Sequence, residues 1–291
     1  MTDRSVQVGV KRVDDMLNID NILTRMPSFS RFSGDKVKSA GKKKLLRENP
    51  LLLGLFQVYK WVIVIPFLAI STTFFGTVAT ILAILLGGKV ATVMGIIWSR
   101  LNSYVTPMLV KVIGKEKIDT NQSYVIVANH QSHYDIFVIY GWMPVDFRWV
   151  MKIQLRKVPF LGYSCYRIGH VFIDRSHPDK AKASINEAKD RIKGGTSIMF
   201  FPEGTRSMDG EIHDFKKGAF KFALDMELPV LPVTIVGSRN VLPAKSMKLF
   251  PGRAKLVIHD PIDIGAYSEE TMEELMDMAR RRIEQGLRQH S

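Results

Sequence analysis

The sequence predicts an α/β fold: a mostly parallel sheet flanked by helices, behind an N-terminal membrane-embedded helical segment. Three observations predict it. Trp61 to Gly88 is a run of 28 residues without a charge, which as a helix would reach about 42 Å against a hydrocarbon core of about 30 Å. From about residue 100 onward, short β-rich apolar runs recur at 124–128, 147–151, 168–173, 197–201, 230–236 and 255–259, with helical patterns between them. Alternation of that kind reads as a parallel sheet covered by helices. The charged and titratable residues fall where these runs end, and the carboxyl edge of such a sheet is where ligands bind.

In chain order, residues 1–50 read as a polar, basic arm, partly disordered, with a short helical pattern at Met16-Leu17 and Ile19 to Leu23. The first 60 residues carry 12 Lys/Arg against 6 Asp/Glu. Lys36, Lys38, Lys42, Lys43, Lys44 and Arg47 lie just ahead of the apolar run. Such juxtamembrane cations attract anionic lipid at about 1 kcal/mol each and favour retention on the cytoplasmic side. Residues 51–99 form the membrane-associated segment. Pro66, Ser71-Thr72-Thr73, Gly76 and Gly87-Gly88 are able to interrupt it, so a single tilted span and a hairpin of two shorter helices both fit. Residues 100–291 are the α/β domain. Within it, Pro178-Asp179 opens a helix with Ala181, Ile185, Ala188 and Ile192 on one face, closed by Gly194-Gly195. Phe215 to Met226 forms a second. A last helix from Ser268 carries Met272, Leu275, Met276, Ala279, Ile283 and Leu287 at core spacing.

The net charge of +13 points to an anionic partner: nucleic acid, an anionic lipid surface or a phosphorylated substrate. No aromatic residue interleaves the basic run, and an apolar segment follows it within 15 residues, which sets nucleic acid aside. Cys165 is the only cysteine, so no intramolecular disulfide can form. The sequence holds no Gly-x-Ser-x-Gly elbow, no phosphate-binding Gly-rich loop and no His-Glu-x-x-His. His130, His133 and Asp135 lack a second cluster to complete a metal site, so no metal is expected.

His130 and Asp135 sit in the run Asn129-His130-Gln131-Ser132-His133-Tyr134-Asp135, directly after the apolar Tyr124 to Ala128. Ser132 and Asp135 have capping-box spacing, so a helix is expected to start here. The positive end of that helix disfavours imidazolium, and a carboxylate five residues on can fix the tautomer of a neutral base. In a continuous helix, residues five apart point about 140° apart, so the pair works only if the turn folds His130 back over the helix start. Asp135 as a plain cap and His130 as a polar turn residue is the alternative. A second constellation, Phe200 to Ser207, ends a strand in Pro202-Glu203-Gly204-Thr205-Arg206. There Arg206 offers a planar fork suited to phosphate and Glu203 is placed to orient it. Arg175, ending Gly169 to Asp174, and Lys152, ending Phe147 to Met151, are further anion-binding candidates. If the strands are parallel, His130, Lys152, Arg175 and Arg206 share one edge.

With these blocks in order, followed by Val230-Leu231-Pro232-Val233 and preceded by the apolar segment, the chain resembles the glycerolipid acyltransferase family of the PlsC type, in particular its 1-acyl-sn-glycerol-3-phosphate (lysophosphatidic acid) acyltransferases. The resemblance covers roughly residues 60–260. It implies that His130 takes a proton from the free hydroxyl of lysophosphatidic acid, that Asp135 holds His130, and that the hydroxyl attacks the thioester of acyl-CoA or acyl carrier protein without a covalent enzyme intermediate. It implies that Glu203, Gly204, Thr205 and Arg206 belong to the acceptor site, with Arg175 contributing and Lys152 near the phosphate. It implies no cofactor beyond the acyl-donor co-substrate and an enzyme at a membrane; the basic arm and the location of acyl thioesters make the cytoplasmic face the expected side of its site. The same chemistry on glycerol-3-phosphate or on a lysophospholipid with a head group, and a non-catalytic membrane lipid-binding protein, are the other readings. The arm at residues 1–50 has no counterpart in the family pattern.

Overall fold

In a computed structural model of the chain, the described residues are 49–174, 176–190, 192 and 194–291. The expectations for residues 1–48 and for Arg175 therefore lie outside the described residues. The chain divides into two units, Met1–Leu55 and Phe56–Ser291. Of the first unit only Asn49–Leu55 is described. The Asn49 side chain accepts from the backbone N–H groups of Leu51 and Leu52 at 3.0 and 3.2 Å and so caps helix α1, Pro50–Tyr59, which has proline in its first position.

In the second unit a π-helical turn, Lys60–Val64, leads into α2, Ile65–Leu85. From Pro50 to Leu85 this helix is 36 residues, long and apolar enough to cross a membrane, and its most apolar stretch is only 22% buried in the protein. Its hydroxyls are satisfied inside the helix: Thr72, Thr73, Thr77 and Thr80 each donate to the carbonyl four residues back. That self-bonding lets polar residues ride in apolar surroundings. Leu86 and Gly87 turn the chain into α3, Gly88–Val105, which runs back along α2. Trp98 Nε1 donates to Thr72 Oγ1 at 3.1 Å and Asn102 Nδ2 to Ser71 Oγ at 3.0 Å, tying the pair together. The described residues thus form one long apolar helix followed by a second helix packed back along it.

The α/β part holds seven strands: β1 Met108–Ile113, β2 Val125–Ala128, β3 Phe147–Lys152, β4 Val171–Ile173, β5 Ser197–Phe200, β6 Val230–Val236 and β7 Gly252–Ile258. Their order across the sheet is β1-β7-β6-β2-β5-β3-β4. β6, β2, β5, β3 and β4 are mutually parallel; β7 pairs antiparallel with β6 and parallel with β1. Helices α4 Asp135–Trp142, α5 Leu161–Ile168, α6 Pro178–Lys189, α7 Gly218–Met226, α8 Ser238–Val241 and α9 Met272–His290 complete the fold. The sheet is buried on both faces. Alternate residues of β2 enter different cores, Ile126 and Ala128 one that includes Phe137 and Ile139 of α4, Val125 and Val127 one that includes Phe220 of α7 and Leu275 of α9.

The structure differs from the sequence reading at three points. The run 168–173 is not all strand, because α5 ends at Ile168 and Gly169, with φ 100°, caps it before β4 begins at Val171. The sequence pattern also missed β1, an edge strand with Lys111 exposed in its middle. The last helix starts at Met272 rather than Ser268, whose N–H instead bonds Thr271 Oγ1.

Candidate active site

β2 leaves the sheet at Asn129, which is fully buried. Its amide Nδ2 donates to the Ile235 carbonyl at 2.9 Å and its Oδ1 accepts from the Ile235 N–H at 2.8 Å. This two-way bond locks the end of β2 to β6 and fixes the direction in which His130 departs. Residues 130–134 then fold as a turn over the start of α4, with the Ser132 hydroxyl accepting from the Tyr134 N–H and donating to the Leu242 carbonyl.

Asp135 is fully buried, and one oxygen serves the whole turn. Oδ2 accepts the N–H groups of Gln131 and Ser132 at 2.7 and 2.8 Å and lies 2.8 Å from His130 Nδ1. The capping contact and the imidazole contact are therefore made by the same atom. An ionised carboxylate only accepts, so this contact pairs it with a ring protonated at Nδ1, the tautomer in which Nε2 is the free nitrogen of a neutral imidazole. The imidazole lies flat on Phe201, with centroids 3.9 Å apart and planes at 11°, and Phe201 in turn stacks on Trp149 of β3. The His130 side chain is 16% exposed, with one ring face covered by Phe201.

The loop after β5 grips the His130 backbone. Glu203 is buried; its Oε1 accepts the His130 N–H at 2.8 Å and its Oε2 the His213 N–H at 3.1 Å. Ser207 N–H donates to the His130 carbonyl at 2.7 Å. Burial raises the Glu203 carboxyl above its ordinary value, against the pull of those two N–H groups. Gly204, with φ 76°, supplies a backbone conformation that a side chain would strain. The expectation that Glu203 orients Arg206 is corrected here. Glu203 is spent on two backbone N–H groups, and Arg206 Nη1 donates instead to His133 Nδ1 at 2.7 Å. Burial first, then the charge of Arg206, lowers the His133 pKa, which keeps its Nδ1 able to accept.

The structure brings His130, Asp135 and Glu203 into direct contact and sets Arg206 beside the same turn through His133. Thr205 is exposed on the loop, and Lys152 is exposed at the end of β3. Since β3 lies two strands from β2, Lys152 stands about 10 Å from the end of β2 along the same edge. Among the described residues no group of three or more His, Cys, Asp and Glu is placed to hold a metal ion. Sequence reasoning gave no role to Asn129 or Phe201 and weighed His133 only as a metal ligand. Phe201 carried a readable signal, an aromatic at the last apolar position before Pro202. A separate cleft with an apolar lining lies between α2, α3 and α5, bordered by Phe75, Ala79, Trp98, Leu161, Cys165 and Ile168.

Residues 109–236 match the sequence model of the acyltransferase family. The chain is similar to a 1-acyl-sn-glycerol-3-phosphate acyltransferase of Chlamydomonas reinhardtii, 32% identical over 61% of this chain and 53% of that protein. A chloroplastic one of Arabidopsis thaliana is 34% identical over 47% of this chain and 39% of that protein. One of Saccharomyces cerevisiae is 29% identical over 78% of each. The chain spans about half the length of the first of these relatives. Among solved structures it is similar to the crystal structure of the 1-acyl-sn-glycerophosphate acyltransferase PlsC from Thermotoga maritima. That match has a TM-score of 0.69 and 27% identity over 83% of this chain and 98% of that one.

Proposed function

We propose, from the match of residues 109–236 to the acyltransferase family model, that the chain acylates the free hydroxyl of lysophosphatidic acid to give phosphatidic acid. The acyl donor in this reading is a thioester, acyl-CoA or acyl carrier protein. The observation that carries the reading is the 2.8 Å contact between His130 Nδ1 and Asp135 Oδ2, which supports a role for the other ring nitrogen, Nε2, as the base.

His130 Nε2 takes the hydroxyl proton as the oxygen attacks the thioester carbonyl. The tetrahedral adduct collapses with loss of the thiolate, and the proton passes from His130 to the leaving sulfur. Asp135 holds the tautomer before transfer and stabilises the imidazolium formed during it. A positioned base supplies about 10²–10⁴-fold, and binding both substrates in register contributes the rest. Arg206 and Lys152, joined by Arg175, grip the acceptor phosphate, and Gly204 and Thr205 line its approach. Glu203 belongs to this acceptor loop by holding His130 in place. The apolar helix Pro50–Leu85 keeps both lipids at the membrane, and the Lys-rich stretch 36–47 favours the cytoplasmic face, where acyl thioesters occur. Similarity to enzymes named for 1-acyl-sn-glycerol-3-phosphate supports this acceptor.

The test is acylation by purified full-length protein of lysophosphatidic acid, glycerol-3-phosphate and lysophosphatidylcholine, each with acyl-CoA and with acyl carrier protein, read by product mass. Phosphatidic acid as the dominant product is expected. Preference for another acceptor would move the assignment to that acceptor, and absence of thioester turnover would leave a lipid-binding protein.

A further inference from the structure

The segment from Lys152 to Ile168 leaves the active edge of the sheet at the end of β3, passes through a 3₁₀ turn, Ile153–Lys157, and returns as α5. Residues 154–160 are all exposed, and the exposed set includes Leu155, Val158 and Phe160, followed by Tyr163 and Tyr166 on the outer face of α5. Outside the long helix Pro50–Leu85 and Leu86 beside it, these five are most of the exposed large apolar side chains among the described residues. Phe160 is the centre of a tight turn in which the Leu161 N–H bonds the Pro159 carbonyl at 2.6 Å, with φ 60° and ψ −47°. This γ-turn conformation is rare and strained for a residue with a side chain. It holds a phenylalanine 52% exposed, so in water the segment gains nothing for the strain.

We infer that this segment is a second membrane-docking surface, and that its occupant is the face of an anionic bilayer. The apolar side chains are interleaved with Lys152, Arg156, Lys157 and Arg167, and no acidic residue occurs from 152 to 168. The Arg156 guanidinium lies 4.4 Å above the Tyr166 ring, a pairing suited to the headgroup level. Cations around an apolar face match an anionic lipid surface, whereas a second copy docked by the same patch would oppose like charges. The patch is also continuous with α2. The Phe160 backbone packs against Gly76, where an added Cβ would stand 3.1 Å from the Phe160 carbonyl oxygen. A bilayer that takes the exposed side of α2 meets this segment next, and docking it brings the carboxyl edge of the sheet to the lipid surface.

The inference rests on the membrane association of α2 proposed above, so the experiment separates the two. In a Cys165→Ala background, Ile70→Cys on α2, Val158→Cys on the segment and Asp277→Cys on α9 are each labelled with an environment-sensitive fluorophore. The full chain is reconstituted into phosphatidylcholine–phosphatidylglycerol vesicles with and without nitroxide-labelled lipid. Expected are blue-shifted emission and nitroxide quenching at positions 70 and 158 and neither at 277. Adding Arg156→Gln and Lys157→Gln should reduce the quenching at 158 and leave that at 70. Quenching at 70 with a water-like, unquenched 158 overturns the docking surface alone. A blue-shifted but unquenched 158 overturns it in favour of a protein partner. A label at 70 that is also unquenched removes the membrane reading and this inference with it.

Discussion

The His130 imidazole is fixed through its ring and its backbone at once: Asp135 at Nδ1, Phe201 against the face, Glu203 at the N–H and Ser207 at the carbonyl. Glu203→Gln separates a positioning role from direct contact with the acceptor. A neutral amide offers one oxygen for two buried N–H groups, and losing a charge-assisted bond costs about 1.5–3 kcal/mol. The expected result is a kcat reduced about 10–100-fold with the acceptor KM unchanged; a raised KM with intact kcat would make Glu203 a substrate contact instead. Arg206→Ala should do the opposite, raising the acceptor KM about 10–100-fold through lost charge-assisted bonds to phosphate, and an unchanged KM would remove Arg206 from the phosphate site. At this scale the sequence made the His130–Asp135 pairing legible because one residue, Asp135, stands both at capping spacing from Ser132 and five residues after His130. It could not disclose that Glu203 turns away from Arg206, since the choice depends on two N–H groups, of His130 and His213, that only the tertiary fold brings to the same carboxylate.

Among the elements, the junction of β2 with β6 aims the site. Asn129→Ala leaves the N–H and carbonyl of Ile235 without their buried partner, at a cost of about 1–3 kcal/mol. A lowered melting temperature and reduced turnover are expected together, and an unaffected melting temperature would show that the bond does not anchor the strand end. The parallel strands were legible because β2, β5 and β6 are buried on both faces and read as unbroken apolar runs. β1 was not, because an edge strand with a central Lys111 carries no such run. The boundary between α5 and β4 was hidden because Ile168 and Val171 are both apolar, and only the left-handed Gly169 separates helix from strand. Composition left span and hairpin equally open. The polar ties from Trp98 and Asn102 to the hydroxyls of α2 are what hold the second helix against the first.

The molecule as a whole keeps several histidines neutral. Burial lowers His170 well below the ordinary value, with Arg148 adding to the effect, and lowers His259 to about 4, with Lys117 and Arg282 adding. His133 is lowered as well. A depressed folded-state pKa means that the unfolded chain binds more protons between that value and 6.5. Stability is therefore full above 6.5 and falls as pH drops through that window. Melting temperatures in detergent micelles should decline from neutral pH toward about pH 5, and His259→Gln should flatten the decline; a profile unchanged by that substitution would place the acid sensitivity elsewhere. The apolar helix, Lys152 and Arg206 beside the site, and the proposed base form one account only if lipid and thioester meet at His130. The most direct test is phosphatidic acid formation, followed by product mass, in purified His130→Ala given lysophosphatidic acid and the preferred acyl thioester. The account predicts no product above the uncatalysed background while the variant stays membrane-associated and folded; turnover near that of the unsubstituted protein would contradict it.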